Sequence, residues 1–406
     1  MLPRFILISG VWQKAVIMDL NLLFEPLDLS HINAGGSLRH TQLGAQISLH
    51  TELFPDLDGV QVVLIGVPEE RGSADNKGCA WGADIIRKEL YQLEHNFELN
   101  IADLGNLIIG ENLQDTYAAL EHIMAELLKN KIFCIILGGS QDLTYPQYCA
   151  YGSFNSKVDL LVIDSFFDLS TEIIGSPEIN SSSYLNKIIV HEPDILFNYS
   201  NIGYQSYFVS QEMLRLMDKL CFDTFRLGEL SGKIQEAEPI IRSANLLSFD
   251  LHALRFSDAP ARAGQNPHGF YGEEACQLFR YAGMNEQLTS LGIYEFNPSL
   301  DIRNQTSQLL AQMLWYFLEG YSFRKQDNPL NSSLNFIRYR TSVASHPAEI
   351  IFYKSRNTGR WWLQVPYPER YARNEHFHLT PCTYEDYKQT CAGELPDRWW
   401  KTIQKL

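Results

Sequence analysis

The chain has 406 residues, of which 45% are apolar and 20% charged, and its formal net charge is −15. This balance is typical of a globular protein and excludes a largely disordered chain. The scattered basic residues argue against a nucleic-acid partner, and no apolar stretch is long enough to span a membrane.

The chain is expected to divide into three parts. Residues 1–17 form a mildly apolar segment, and Met18 offers a second start, so we expect them to be an N-terminal extension. Residues 18–330 are predicted to form the main domain, and residues 331–406 a C-terminal extension packed on it. Seven cysteines without C-x-x-C spacing favour a reducing, cytoplasmic location over a disulfide framework.

Short apolar runs rich in β-branched residues alternate with helical segments between residues 61 and 320. The predicted strands are Gln61–Val67, Ile132–Leu137, Leu160–Asp164, Leu246–Asp250 and Leu291–Tyr294. Continuous apolar runs of this length are typical of strands that are covered on both faces.

Two segments have apolar residues at helical spacing. They are Asp115–Asn130 and Asn304–Glu319, the second ending before Gly320. Strands alternating with helices predict an α/β fold with three αβα layers and a mostly parallel central sheet.

Polar residues follow several predicted strands. Asp164 and Asp250 each end a strand, and Gly138-Gly139 follows another. The carboxyl ends of parallel strands meet at one edge of a sheet, which is where ligands bind in such folds. This placement predicts a functional site at that edge.

The last 76 residues differ in character, with aromatic, proline and charged residues and two Arg-Trp-Trp segments that begin at Arg360 and Arg398. We expect the tryptophans to pack against the main domain. The alternative is an oligomer or partner surface, where tryptophan and arginine are enriched.

Three segments combine groups that can carry chemistry: Gly138–Asp142, Asp164–Asp168 and Ser248–His252. Carboxylate and imidazole groups are ligands for manganese and similar divalent ions. An isolated aspartate more often caps a turn or a helix. Several such acids at one sheet edge, with a histidine, favour a metal site.

These segments resemble the G-G-D-H-S, D-A-H-x-D and S-x-D-x-D signatures of the ureohydrolase family, which includes arginase, agmatinase and formimidoylglutamase. Four further stretches resemble that family in the same chain order: Gly66-Val67-Pro68 with Gly82–Arg87, Asp103–Asn106, Gly269–Glu274 and Glu295–Pro298. The resemblance covers roughly residues 60–320 and implies an arginase-like fold.

The resemblance also implies a ligand set for two manganese ions that activate a bridging water. The matching positions are Gln141, Asp164, Phe166, Asp168, Asp250 and His252. Glutamine and phenylalanine stand where the family has histidine, and His252 stands where it has aspartate. We therefore expect one manganese ion or none, held by Gln141, Asp164, Asp168, Asp250 and His252.

By the same resemblance, Asp168 and Glu274 are the expected catalytic residues, with Glu274 facing the substrate. The expected substrate is a small amidine or guanidino compound, and homo-oligomers are expected. Without a metal, clustered aspartates repel one another, so we expect a compensating cation, His252, Arg255 or another group, or proton uptake.

Three functions stay open at this point. The first is a ureohydrolase-family protein with an eroded metal site and weak or absent amidine hydrolysis. The second is a working hydrolase of linear amidines, closest to formimidoylglutamase, with an altered or single metal. The third is single-metal deacetylase chemistry on the same fold.

Overall fold

The computed structural model describes residues 20–32, 37–154, 157–170, 179–264, 266–330, 335–343, 349–367 and 377–406. The expected N-terminal extension, residues 1–17, lies outside the described residues.

The main domain is built on a sheet in which ten strands are described. These are β1 Phe24–Glu25, β2 Ser48–Leu49, β3 Val62–Val67, β4 Ile101–Leu107, β5 Phe133–Gly138, β6 Val158–Ile163, β7 Leu196–Tyr204, β8 Asp223–Arg226, β9 Leu246–Asp250 and β10 Ser290–Tyr294. The order is β1-β4-β3-β5-β10-β9-β6-β7-β8, with β2 beside β4. The only antiparallel pairing described in this sheet is that of β1 with β4, which confirms the mostly parallel sheet.

All five predicted strands are present, with ends that differ by at most two residues. The parallel strands β4, β7 and β8 were not among them. Polar residues interrupt their apolar runs, and several of those residues are held by tertiary contacts. In β4, Asp103 is fully buried and pairs with Arg87 at 2.8 Å, while Tyr91 donates to the same carboxylate at 2.7 Å.

Helices cover both faces of the sheet. The described helices are α1 Leu29–Ile32, α2 Gly82–Leu90, α3 Leu113–Lys129, α4 Thr144–Cys149, α5 Tyr184–Ile189, α6 Gln211–Lys219, α7 Leu227–Leu230, α8 Glu238–Ser243, α9 Gly272–Gly283, α10 Gln305–Ser322, α11 Tyr384–Cys391 and α12 Asp397–Lys405. Alternate residues of the central strands enter two separate apolar clusters, one on each face, as a three-layer fold requires.

Two helix boundaries differ from their predictions. The α3 helix begins at Leu113 because the side chain of Asn112 caps it, accepting from Asp115 N–H at 3.0 Å. The α10 helix continues through Gly320, so the predicted stop was wrong. A Cβ at Gly320 would lie 2.4 Å from the Arg280 carbonyl oxygen. This glycine allows α9 and α10 to approach closely.

No helix in the described part of the chain combines the length and apolar character needed to cross a bilayer. All seven cysteines are free thiols.

The C-terminal extension contains a second, antiparallel sheet. Its strands, in spatial order, are β11 Phe336–Thr341, β12 Ile350–Ser355, β13 Trp361–Pro366 and β14 Phe377–Cys382. Trp361 and Trp399 lie in its small apolar cluster, and Trp362 is also buried. Trp361 and Trp399 are therefore buried within the extension itself, whereas the expectation had placed the tryptophans against the main domain, and Trp400 is about half exposed.

A buried arginine joins this sheet to the main domain. Arg242 of α8 donates to the carbonyl oxygens of Trp361 at 3.0 Å and Cys382 at 3.3 Å. Its guanidinium also lies 4.4 Å from the centre of the Trp362 ring and pairs with Glu238 at 3.1 Å. The extension is therefore docked through specific polar contacts.

Candidate functional site

Four adjacent strands each place one polar side chain at the same edge of the main sheet. In sheet order, β5 leads to Gln141, β10 to Glu295, β9 ends on Asp250 and β6 leads to Asp164. All four residues are at most 2% exposed. The prediction that strand-end acids meet at this edge is confirmed for Asp164 and Asp250 by the direct pairing of β6 with β9.

The Gly138-Gly139 segment allows the backbone after β5 to pack closely against a neighbouring loop at this edge. A Cβ at Gly139 would lie 1.9 Å from the Glu69 carbonyl oxygen. The glycine therefore lets two loops of the site touch, which brings the following residue, Ser140, to donate its N–H to Glu69 O at 3.0 Å.

The Gln141 amide bridges two of the carboxylates. In the orientation that satisfies its neighbours, its nitrogen donates to Asp168 Oδ2 at 2.8 Å and to Asp250 Oδ2 at 2.9 Å. Its oxygen accepts from the Tyr184 hydroxyl at 3.3 Å. In this orientation the side chain presents hydrogen-bond donors to the acids, whereas in the opposite orientation its oxygen faces them and its nitrogen lies 3.4 Å from Ser248 Oγ. A metal ligand would have to turn its oxygen toward them.

The Asp164 and Asp168 carboxyl groups lie close together, and each affects the pKa of the other. Burial raises the pKa of Asp168 to about 7 and raises that of Asp164 well above its ordinary range, to which the nearby Asp250 and Asp168 carboxylates contribute. Both carboxyl groups therefore take up a proton more readily than solvated aspartates do.

An arginine lies on the third acid. Arg262 Nε is 3.3 Å from Asp250 Oδ1, and both side chains are largely buried, 13% and 3% exposed. Burial lowers the pKa of Arg262, but Asp250 and Glu295 raise it more, so the guanidinium stays charged. The expected compensation is confirmed, and the cation is Arg262.

Arg255, one of the suggested compensating groups, lies elsewhere. It pairs with Asp258 at 2.8 Å and covers the Tyr271 ring at 3.7 Å. His252 is not the cation either, because burial and then Arg262 lower its pKa.

His252 and Phe166 form an aromatic group beside the acids. The His252 ring lies 4.8 Å from Phe166, which stacks on Phe208 at 4.6 Å. His252 Nε2 donates to Gly264 O at 2.7 Å, and its buried Nδ1 has no hydrogen-bond partner among the described residues. An apolar ring therefore stands where the resemblance implies a second imidazole.

Glu295 belongs to the site, although no role was assigned to it from sequence. Its Oε1 accepts from Gln141 N–H at 3.0 Å and its Oε2 from Asn76 Nδ2 at 2.8 Å. Burial, followed by the Asp250 carboxylate, raises the pKa of Glu295 to about 8.

Two acids of the site have a positive backbone φ angle, 65° at Glu295 and 48° at Asp168. Such backbone strain in non-glycine residues is common at functional sites.

The signal that could have identified Glu295 was its position directly after a buried strand, the same argument that identified Asp164.

The structure does not bring Glu274 into this cluster. It lies in the first turn of α9, where its Oε2 accepts from Tyr271 N–H at 3.0 Å and caps the helix. It lines a separate surface pocket with Arg226, Arg255 and His268. A catalytic role for Glu274 stays a prediction.

Asp142 is also directed away from the cluster. It is buried and accepts a hydrogen bond from the Tyr117 hydroxyl. It therefore does not supply the ligand that Gln141 lacks.

The residues present do not fit a two-manganese centre as they are arranged. Across the described residues, no group of three or more histidine, cysteine, aspartate or glutamate side chains is placed to hold a metal ion. Arg262 already places a cation 3.3 Å from Asp250, and Gln141 offers only a neutral amide oxygen where the resemblance implies a histidine. Phe166 supplies no ligand.

Comparison with known proteins agrees with this fold. Residues 60–319 match the arginase family. A formimidoylglutamase from Halalkalibacterium halodurans is 23% identical over 292 residues, covering 66% of this chain and 91% of that protein.

The fold is also that of solved enzymes. The crystal structure of Trypanosoma cruzi formiminoglutamase with Mn²⁺ matches with a TM-score of 0.64 at 19% identity, covering 70% of this chain and 99% of that chain. Formimidoylglutamase from Bacillus subtilis matches with a TM-score of 0.63 at 22% identity, covering 72% and 96%. The family match extends over more than half of the chain, and the chain therefore belongs to the arginase family.

Proposed function

We propose that this arginase-family protein does not hydrolyse amidines by the two-manganese mechanism and acts instead as a binding or assembly protein. The observation that carries the proposal is the buried ion pair of Arg262 with Asp250, beside the Gln141 amide, which in its satisfied orientation donates to Asp168 and Asp250. These two groups compensate the acids in the place where the resemblance implies metal ions.

The chemistry supports this proposal. Two-metal hydrolysis needs both cations, because together they lower the pKa of the bridging water and stabilise the developing negative charge. The Arg262 guanidinium can donate hydrogen bonds but cannot coordinate a water molecule as a metal ion does. It therefore cannot lower the pKa of that water to make it a nucleophile. We expect amidine hydrolysis to be lower than in formimidoylglutamases by orders of magnitude.

The test is metal content and activity, measured together. The protein is purified without chelator, incubated with excess manganese, desalted and examined by elemental analysis. Hydrolysis of formimidoylglutamate, agmatine and arginine is assayed in parallel, with Bacillus subtilis formimidoylglutamase as the positive control. We expect little bound metal and no turnover. Two manganese ions per chain with turnover would overturn the proposal.

One observation favours the second candidate, a hydrolase with a single or altered metal. His252 Nδ1 is buried and has no hydrogen-bond partner among the described residues, so a lone pair is available beside the acids. The similarity to formimidoylglutamases makes formimidoylglutamate its first substrate to test. One metal per chain with measurable turnover would select this candidate.

We also propose that the chain forms homo-oligomers, which the family resemblance supports. Light scattering coupled to gel filtration would give the mass, and a monomer at micromolar concentration would contradict this proposal.

A further inference from the structure

A cavity of about 110 Å³ lies between the main sheet and the C-terminal extension. Asp159, Asn198 and Asp223 line it from three adjacent strands, β6, β7 and β8. They lie near the amino ends of these parallel strands, whereas Asp164 follows the carboxyl end of β6. The cavity is therefore at the opposite end of β6 from the aspartate cluster.

Helix α12 covers the cavity with a basic face. Arg398, Lys401 and Lys405 all line it, and their spacing of three and four residues places them on one side of the helix. The sheet thus contributes oxygen acceptors, and the helix contributes cationic donors.

The acceptors of the sheet are not all satisfied. Asp223 pairs with Lys405 at 2.7 Å and Lys401 at 3.3 Å, and it accepts from Asn198 Nδ2 at 3.0 Å. In contrast, Asp159 Oδ1 and Asn198 Oδ1 are buried and accept no hydrogen bond within the described part of the chain. Asn198 is only 7% exposed. Buried acceptors without donors are costly, so these two oxygens point to a donor supplied by a ligand.

The basic face has capacity for an anionic group as well. The side chain of Lys401 is 40% exposed, and that of Arg398 is 24% exposed while it pairs with Asp386 at 3.2 Å. A ligand with a carboxylate can therefore be bound on the α12 side while its cationic end is bound on the sheet side.

We infer that this cavity binds a small zwitterionic amino acid of the size of glycine or alanine. Its ammonium group donates to Asp159 and Asn198, and its carboxylate pairs with Lys401 or Arg398. The size agrees, because a cavity of about 150 Å³ holds benzene, with about six heavy atoms. The inference does not depend on the proposed function, since it uses none of the residues of the aspartate cluster.

The binding test uses isothermal titration calorimetry on the full chain at about pH 8, above the Asp159 pKa of about 7, so that this carboxylate is ionised. Glycine and alanine are titrated, with acetate and methylammonium as probes that each carry half of the zwitterion. We expect saturable heat with an amino acid and none with either half. Equal affinity for methylammonium would overturn the zwitterion in favour of a simple ammonium site. Absence of heat with both amino acids would also overturn the inference and leave waters to fill the cavity.

Two variants locate the ligand. Asp159→Asn removes the charge that receives the ammonium group, and Lys401→Met removes a partner of the carboxylate. Each is expected to weaken binding by about tenfold or more, since a charge-assisted hydrogen bond is lost. Arg340→Met, which removes an exposed charge of β11, is the control and should bind like the parent. Unchanged affinity in both test variants, with folding verified by thermal melting, would contradict the assignment.

Discussion

Arg262 places its Nε 3.3 Å from Asp250 Oδ1 in a largely buried ion pair. This contact sets a guanidinium in the middle of a group of acids that the family resemblance assigns to metal ions. It links the loop that follows β9 to the end of β9 itself. Whether this ion pair forms decides how the negative charge of Asp250 is compensated.

The first prediction concerns the stability that Arg262 provides. Arg262→Met should lower the free energy of unfolding by about 3 kcal/mol, because a buried carboxylate loses its counter-charge. Urea unfolding at neutral pH measures the change. The matched control is Arg255→Met, whose partner Asp258 lies nearer the surface, and a loss of about 1 kcal/mol or less is expected there. Equal losses in the two variants would show that Arg262 has no special role.

A second prediction concerns metal binding. The combined variant Gln141→His, Phe166→His and Arg262→Met should bind about one manganese ion per chain or more, because it supplies two imidazoles and removes the competing cation. Elemental analysis after incubation with manganese and desalting gives the result. Gln141→His alone retains Arg262 and is the control, with little metal expected. A parent protein that binds as much metal as the triple variant would refute this explanation.

A third prediction concerns the docking of the C-terminal sheet. Arg242→Met removes the donor to the Trp361 and Cys382 carbonyl oxygens. We expect a loss of about 3 kcal/mol, because buried partners are left without their hydrogen bonds. Amide hydrogen exchange in β13 and β14 should become faster. The control, Arg340→Met, removes an exposed pair in the same sheet and should change stability by about 0.5 kcal/mol or less. Unaltered exchange in β13 and β14 would indicate that other contacts hold the sheet.

A fourth prediction concerns pH. Burial, with Asp223 opposing the effect of Lys405, raises the pKa of Asp159 from 3.8 to about 7. Between these values the folded state holds a proton that the unfolded state has lost, so the free energy of unfolding falls as pH rises through this window. Asp159→Asn removes this contribution, and the fall between about pH 4 and 7 should be smaller by about 3 kcal/mol.

Urea unfolding at several pH values measures that difference between parent and variant. Asp194→Asn changes an exposed carboxylate of the neighbouring loop and is the control for a general charge effect. Parallel pH profiles for the parent and Asp159→Asn would mean that Asp159 is ionised in the folded state throughout the range.

The sequence predicted well those features that depend on local pattern. Uninterrupted apolar runs identified β3, β5, β6, β9 and β10 because strands buried on both faces need such runs. Strands β4, β7 and β8 were missed because polar residues interrupt their apolar runs, and tertiary contacts such as Arg87 with Asp103 and Lys405 with Asp223 hold those residues in the sheet. The antiparallel C-terminal sheet was also missed. The sequence of that segment shows no regular apolar alternation, and its strands are defined by their pairing in the tertiary structure.

What the sequence by itself determined is the layered α/β architecture and the meeting of Asp164, Asp250 and Gln141 at one sheet edge, because parallel strands bring their carboxyl ends together. Only the tertiary structure decided which charges compensate the acids. It selected Arg262 over Arg255 and placed Glu295 in the cluster with Glu274 outside it. The physical reason is that ion pairing depends on how a loop folds back in space, and residue order alone does not specify that path.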